Sequence, residues 1–173
     1  MNLKQNIFSI PILQVDCNFW ESKKQKLLSN FTNFSFRDKH YTDYYNEEHK
    51  IICVDDIFKE EINIFKNEFQ INKVKVDSYW FEKSKKYNYH EVHKHQFVGY
   101  SAVCYVEYDE NEHEPLIFVS PFDNFVTGSQ MACKPQNVKE GTIIFFPSRL
   151  QHYVNPNMSD KERLVFSFNL TFF

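Results

Sequence analysis

Three of the seven histidines in this chain of 173 residues fall within six positions, inside YNYHEVHKHQ (87–96). Neutral imidazole is the commonest metal ligand among side chains, so such spacing first suggests a metal centre. On a strand, side chains alternate faces, so His93 and His95 share one face, ~7 Å apart along the chain. Glu91 has the same parity; His90 and Lys94 have the opposite one. A fourth histidine, His152, ends GTIIFFPSRLQH (141–152). There Gly141 starts a strand, TIIFF reads as buried, and Pro147 ends the regular ladder. His152 is expected just past that strand end, folded back toward His93 and His95. Three protein ligands with open positions beside them suit a catalytic ion; a structural site would close all four. H-x-H alone is a weak pattern, and solvated surface histidines produce it too.

A cation accompanies the histidines. In RLVFSFNLTF (163–172), Leu164, Phe166, Phe168, Leu170 and Phe172 form one apolar face. Arg163, Ser167, Asn169 and Thr171 share the other. A strand of this kind can line a polar cavity, and a guanidinium there can grip a carboxylate through two parallel hydrogen bonds.

These residues need a frame. Residues 19–34 and 55–69 carry apolar residues at helical spacing, with Asp55 or Asp56 available to cap the second helix. NIFSIPILQV (6–15) reads as an edge strand or strand pair interrupted by Pro11. From residue 73 the period changes to two. KVKVDSYWF (73–81) puts Val74, Val76 and Trp80 on one face. Further strands are expected over 89–97, 100–108, 116–119, 142–146 and 163–172. Two helices followed by about seven short strands predict a mainly β fold with some α, a closed or sandwiched β structure backed by N-terminal helices. No linker or repeat divides the chain. One domain over 1–173 is expected, with helical support over about 1–72 and a β core over about 73–173.

Composition narrows the classes. Apolar residues make up 42 %, including 19 Phe and 10 Tyr, which excludes a disordered chain. The formal charge of −3 provides no general attraction to nucleic acid or anionic membrane. No run approaches a membrane span. The four cysteines are scattered and form no C-x-x-C, and no secretory h-region is visible, so a reducing cytoplasm is the expected compartment. The aromatic N-terminal helices leave a homodimer open.

With these motifs in place, the sequence resembles the Fe(II)/2-oxoglutarate-dependent oxygenases, in particular the small bacterial and phage branch related to prolyl hydroxylases. The matching stretches are YWF (79–81), HKHQFVGYSAVCYV (93–106), FFPSRLQH (145–152) and ERLVFSFN (162–169). The resemblance implies a double-stranded β-helix of jelly-roll or cupin-like form. It implies His93 and His152 as iron ligands and Arg163 as the partner of the far carboxylate of 2-oxoglutarate. Tyr105, Tyr100 and Asn169 are implied at the cosubstrate pocket. His95 falls where relatives carry a carboxylate ligand, so the second ligand is His95, Glu91, or neither. Val165 replaces a serine of the family pattern and Ser120 an aspartate, and the glycine after the tryptophan segment is lacking. The implied reaction hydroxylates an organic or protein substrate with O₂, releasing succinate and CO₂. Tyr87, Tyr89 and Phe97 are candidate substrate-wall residues. Two alternatives stand beside this reading. One is a cupin-type metal dioxygenase or isomerase without 2-oxoglutarate; the other is a non-catalytic β-barrel binding module.

Overall fold

Alternating apolar residues build two antiparallel sheets in a computed structural model that describes residues 9–29, 34–37, 39–45, 52–95 and 99–173. The order is β1 (Leu13–Asp16), α1 (Trp20–Leu28), β2 (Ser35–Arg37), β3 (His40–Thr42), α2 (Val54–Ile57), α3 (Lys59–Glu68) and β4 (Val74–Ser84). Then come β5 (His90–His93), β6 (Tyr100–Glu107), β7 (Ile117–Asp123), β8 (Gln130–Cys133), β9 (Thr142–Pro147), β10 (His152–Val154) and β11 (Arg163–Phe172). The larger sheet runs β1-β9-β6-β11-β4-β3-β2, and the smaller β5-β10-β7-β8.

Two apolar cores follow from this layering. Leu27, Phe58, Ile62 and Phe65 of the helical segments pack on Phe145, Phe166 and Phe168 of the larger sheet. A smaller core joins Tyr105, Ile144, Phe146 and Val165 of that sheet to Phe118 of the smaller one. Helices therefore cover one face of the larger sheet, and the smaller sheet covers the other. Lys23 reaches Glu61 at 2.6 Å and ties α1 to α3 where Glu61 is buried. Among the described residues no helix is long and apolar enough to cross a membrane.

Several local expectations are corrected. The helix expected over 55–69 is two pieces, because Phe58 departs from helical dihedrals (φ −108°, ψ 24°). Cys53, not an aspartate, occupies the N-cap, without a side-chain bond; Asp55 and Asp56 lie inside the first turn. The first helix is defined to Leu28, and residues 30–33, with Phe31, lie outside the described residues. The segment before residue 73 also contributes β1, β2 and β3 to the larger sheet. β1 starts two residues after Pro11 and pairs with β9 as the edge strand.

Two β-bulges change which side chains face the interior. Leu170 pairs with Val76 but Asn169 with Ser78, so Asp77 is an extra residue in β4. Val74 and Val76 consequently pack into the helix-side core with Tyr79 and Phe81, while Trp80 and Glu82 turn to the opposite face. Likewise His152 pairs with His93 and Val154 with His90, two steps against three, which puts an extra residue in β5. His90 and His93 therefore share a face, contrary to uninterrupted alternation.

Candidate active site

β11 provides the floor of the site. Its alternation is unbroken from Arg163 to Asn169, so Arg163, Val165 and Ser167 face the space between the sheets. The first residue of β10, His152, lies directly opposite His93. His152 thus opens a strand of its own, paired on both sides, and does not trail the end of β9. His95 lies two residues beyond β5, where its backbone N–H donates to the Ser148 carbonyl at 2.9 Å. That bond, and not strand parity, brings it back to the cluster.

The structure brings His93, His95 and His152 together. One ring nitrogen from each lies within 4.8 Å of the others. Nδ1 of His93 is 2.8 Å from the Glu91 carbonyl, and Nδ1 of His152 is 2.9 Å from the Leu150 carbonyl. Only a protonated nitrogen can bond a carbonyl, so both rings carry hydrogen on Nδ1 and offer Nε2. Burial is the main cause that lowers the pKa of all three rings, His95 to about 4 and His152 to about 3. At neutral pH the cluster is three uncharged imidazoles, the protonation state a metal ion requires. Glu91 is exposed and falls outside this group.

Arg163 lines the same cavity, 5 % exposed. It donates to the Glu114 carbonyl at 2.8 Å and to Ser84 Oγ at 3.1 Å. Burial lowers its pKa, yet a guanidinium stays charged. Among the described residues it forms no ion pair with a carboxylate. A buried cation with no carboxylate in contact is costly, because Glu82 and Glu114 act on it only from beyond contact, and a carboxylate ligand lowers that cost. Tyr105 stands beside it on the cavity wall. Its hydroxyl accepts the Leu116 N–H at 3.1 Å, burial raises its pKa, and its own proton is left for another acceptor.

Other expected residues sit elsewhere. Tyr100 shares a face with Ala102 and Cys104, so its ring packs on Phe65, Phe69 and Phe172 in the helix-side core, outside the cavity. Asn169 has the cavity parity but lies beyond the cavity lining, bonded to Ser101 at 2.9 Å and to Ser78 at 2.8 Å. Tyr87 is exposed, and neither it nor Tyr89 lines the cavity; Phe97 lies outside the described residues. Reading the sequence also missed Glu82, His90 and Trp80, all three on the cavity wall. The signal lost was the bulge in each strand.

The residues fit the implied groups: three neutral nitrogens for a divalent ion, and a buried guanidinium with no carboxylate in contact for a dicarboxylate. The enclosed space is about 30 Å³, so a dicarboxylate has to move side chains on entry.

Comparison with known proteins identifies the fold and the family. The viral collagen prolyl hydroxylase of Paramecium Bursaria Chlorella virus-1, solved with 2-oxoglutarate, matches with TM-score 0.59 and 14 % identity over 92 % of this chain and 94 % of that one. A Pseudomonas putida prolyl-4-hydroxylase matches with TM-score 0.61 and 12 % identity over 95 % and 94 %. HygX from Streptomyces hygroscopicus, solved with nickel, 2-oxoglutarate and hygromycin B, matches with TM-score 0.66 and 9 % identity over 93 % and 82 %. At such identities the likeness establishes the fold, a double-stranded β-helix. No curated protein sequence matches the chain. The family model described as "Putative 2OG-Fe(II) oxygenase" matches residues 78–169, more than half of the chain and the whole of the cavity floor. The chain belongs to this family of oxygenases, which use Fe(II) and 2-oxoglutarate.

Proposed function

We propose that this oxygenase hydroxylates an organic or protein substrate. His93, His95 and His152 would hold the iron, and Arg163 the distal carboxylate of 2-oxoglutarate. The observation that carries the reading is the buried Arg163 guanidinium, without a carboxylate partner, in one cavity with three neutral imidazoles. When bound, iron and 2-oxoglutarate supply the O₂ chemistry, with succinate and CO₂ as co-products.

The protein's part is placement and shielding. The Glu91 and Leu150 carbonyls fix the tautomers of His93 and His152 before metal arrives. Ser84 and the Glu114 carbonyl hold Arg163 in one orientation, so little is lost in ordering it. Tyr105 can donate its hydroxyl proton to the cosubstrate carboxylate. Phe146 and Leu116 add apolar wall and keep water out. Two of the similar structures are prolyl hydroxylases, which makes a prolyl peptide the first substrate to try. The four cysteines are free, which supports a reducing cytoplasm as the working compartment.

The test is anaerobic reconstitution with Fe(II), followed by 2-oxoglutarate and then O₂. A visible charge-transfer band on adding 2-oxoglutarate, and succinate formed only when iron and O₂ are both present, are expected. An iron-loaded protein that neither develops the band nor forms succinate sinks the proposal. Three neutral ligands without a carboxylate favour one second reading, a three-histidine dioxygenase that works without 2-oxoglutarate. Turnover of a substrate with O₂ but no 2-oxoglutarate would select it.

A further inference from the structure

A second set of ligating groups stands beside the three histidines. His40 comes from β3, Glu82 from β4 and His90 from the start of β5. One ligand atom of each lies within 4.8 Å of the others. His90 Nδ1 is 3.1 Å from Glu82 Oε2, and the rings of His40 and His90 are 4.3 Å apart. Trp80 Nε1 donates to Glu82 Oε1 at 2.7 Å, which fixes the carboxylate and leaves Oε2 on the imidazole side. Both Glu82 oxygens are thereby engaged, one by the indole and one by the His90 ring. A cavity of about 140 Å³, walled by Tyr44 and Tyr45, opens onto these three residues and onto His93 and His95, and it shares Trp80, Glu82 and His90 with the Arg163 cavity.

Two imidazoles and one carboxylate suit divalent first-row metals. The set carries the negative charge that His93, His95 and His152 lack. We propose that His40, Glu82 and His90 form a second divalent-cation site, adjoining the centre of His93, His95 and His152. The two sites share a wall, because the rings of His90 and His93 stack at 3.8 Å. Two dications this close repel, and the Glu82 anion offsets part of that repulsion. The sites therefore fill in sequence and with different affinities. The inference rests on the donor set and its cavity, and is independent of any role for 2-oxoglutarate.

Anaerobic titration of the metal-free full chain with Co(II) tests it, read by visible absorption and by metal analysis after desalting. Wild type is expected to take two equivalents per chain. Glu82→Gln and His40→Ala should each take one, as should His152→Ala. One equivalent in wild type, retained by Glu82→Gln and lost in His152→Ala, overturns the second site and leaves the first intact. Two equivalents unaffected by both Glu82→Gln and His40→Ala place the second ion elsewhere and also overturn it. No bound metal in wild type removes both sites. Circular dichroism establishes that each variant is folded, and the wild-type stoichiometry decides the matter if a variant is not.

Discussion

The two faces of β11 do different work. Leu164, Phe166, Phe168 and Leu170 face the helices and are almost wholly buried. Arg163, Val165 and Ser167 face the cavity. The helix-side face is apolar, two leucines and two phenylalanines, and its contribution is area removed from water. The cavity face carries a buried charge with no carboxylate in contact, which a protein selected for stability alone would replace with an apolar side chain. Stability and chemistry are thus separated by the thickness of one sheet, and substitutions on the two faces should be separable by experiment.

The largest expected effect lies on the cavity side. His152→Ala should take metal-dependent turnover below detection, while far-UV circular dichroism shows the sheets intact. Full activity in this variant would end the assignment of His152 as a ligand. Phe166→Ala should do the reverse. Truncating a fully buried phenylalanine costs about 3–5 kcal/mol, read as a lower urea midpoint, with turnover per folded molecule preserved. A Phe166→Ala variant that loses turnover before it loses stability would show that the faces are coupled.

Arg163→Met is smaller in effect and sharper in what it tests. Charge-assisted hydrogen bonds contribute about 1.5–3 kcal/mol, so the half-saturating 2-oxoglutarate concentration should rise roughly 10- to 100-fold. Stability should hold or increase, because the buried charge is gone. Unchanged 2-oxoglutarate dependence would remove Arg163 from the cosubstrate site.

The smallest effect is a slope with pH. In the metal-free protein His152 and His95 titrate near 3 and 4, against 6.5 for an unburied imidazole. Their folded pKa values are depressed, so the unfolded chain takes up protons first as pH falls. The stability they contribute is complete above about pH 6.5 and is lost progressively between there and about pH 3. Thermal melts of the metal-free protein should show this loss, and His152→Ala should lose less over the same range.

How much was legible in the sequence depended on where alternation holds. The strand over 163–172 was read to its last residue, and Arg163 falls on the expected face because β11 is regular from 163 to 169. His93 and His152 were found through types and order along the chain. In β4 and β5 the same rule misplaced Trp80 and His90, because each strand carries one extra residue. A bulge is a register mismatch with the neighbouring strand, and nothing within the strand itself announces it. Tyr100 was carried over from a motif although its parity points to the core. The short β2, β3, β8 and β10 have too few residues to display a period, yet β3 and β10 supply His40 and His152.

One close contact links the helical layer to the chemistry. Gly141 has φ +82°, and a Cβ there would lie 2.8 Å from the Trp20 ring. Trp20 Nε1 also donates to Glu140 at 3.1 Å. α1 thus presses flat against the point where the chain enters β9, with no slack for even a methyl group. β9 runs from that point through the core to Pro147, and the next turn delivers His152. The first helix acts as a splint on the segment that aims His152, so a bulkier residue at position 141 would be felt at the opposite end of the strand.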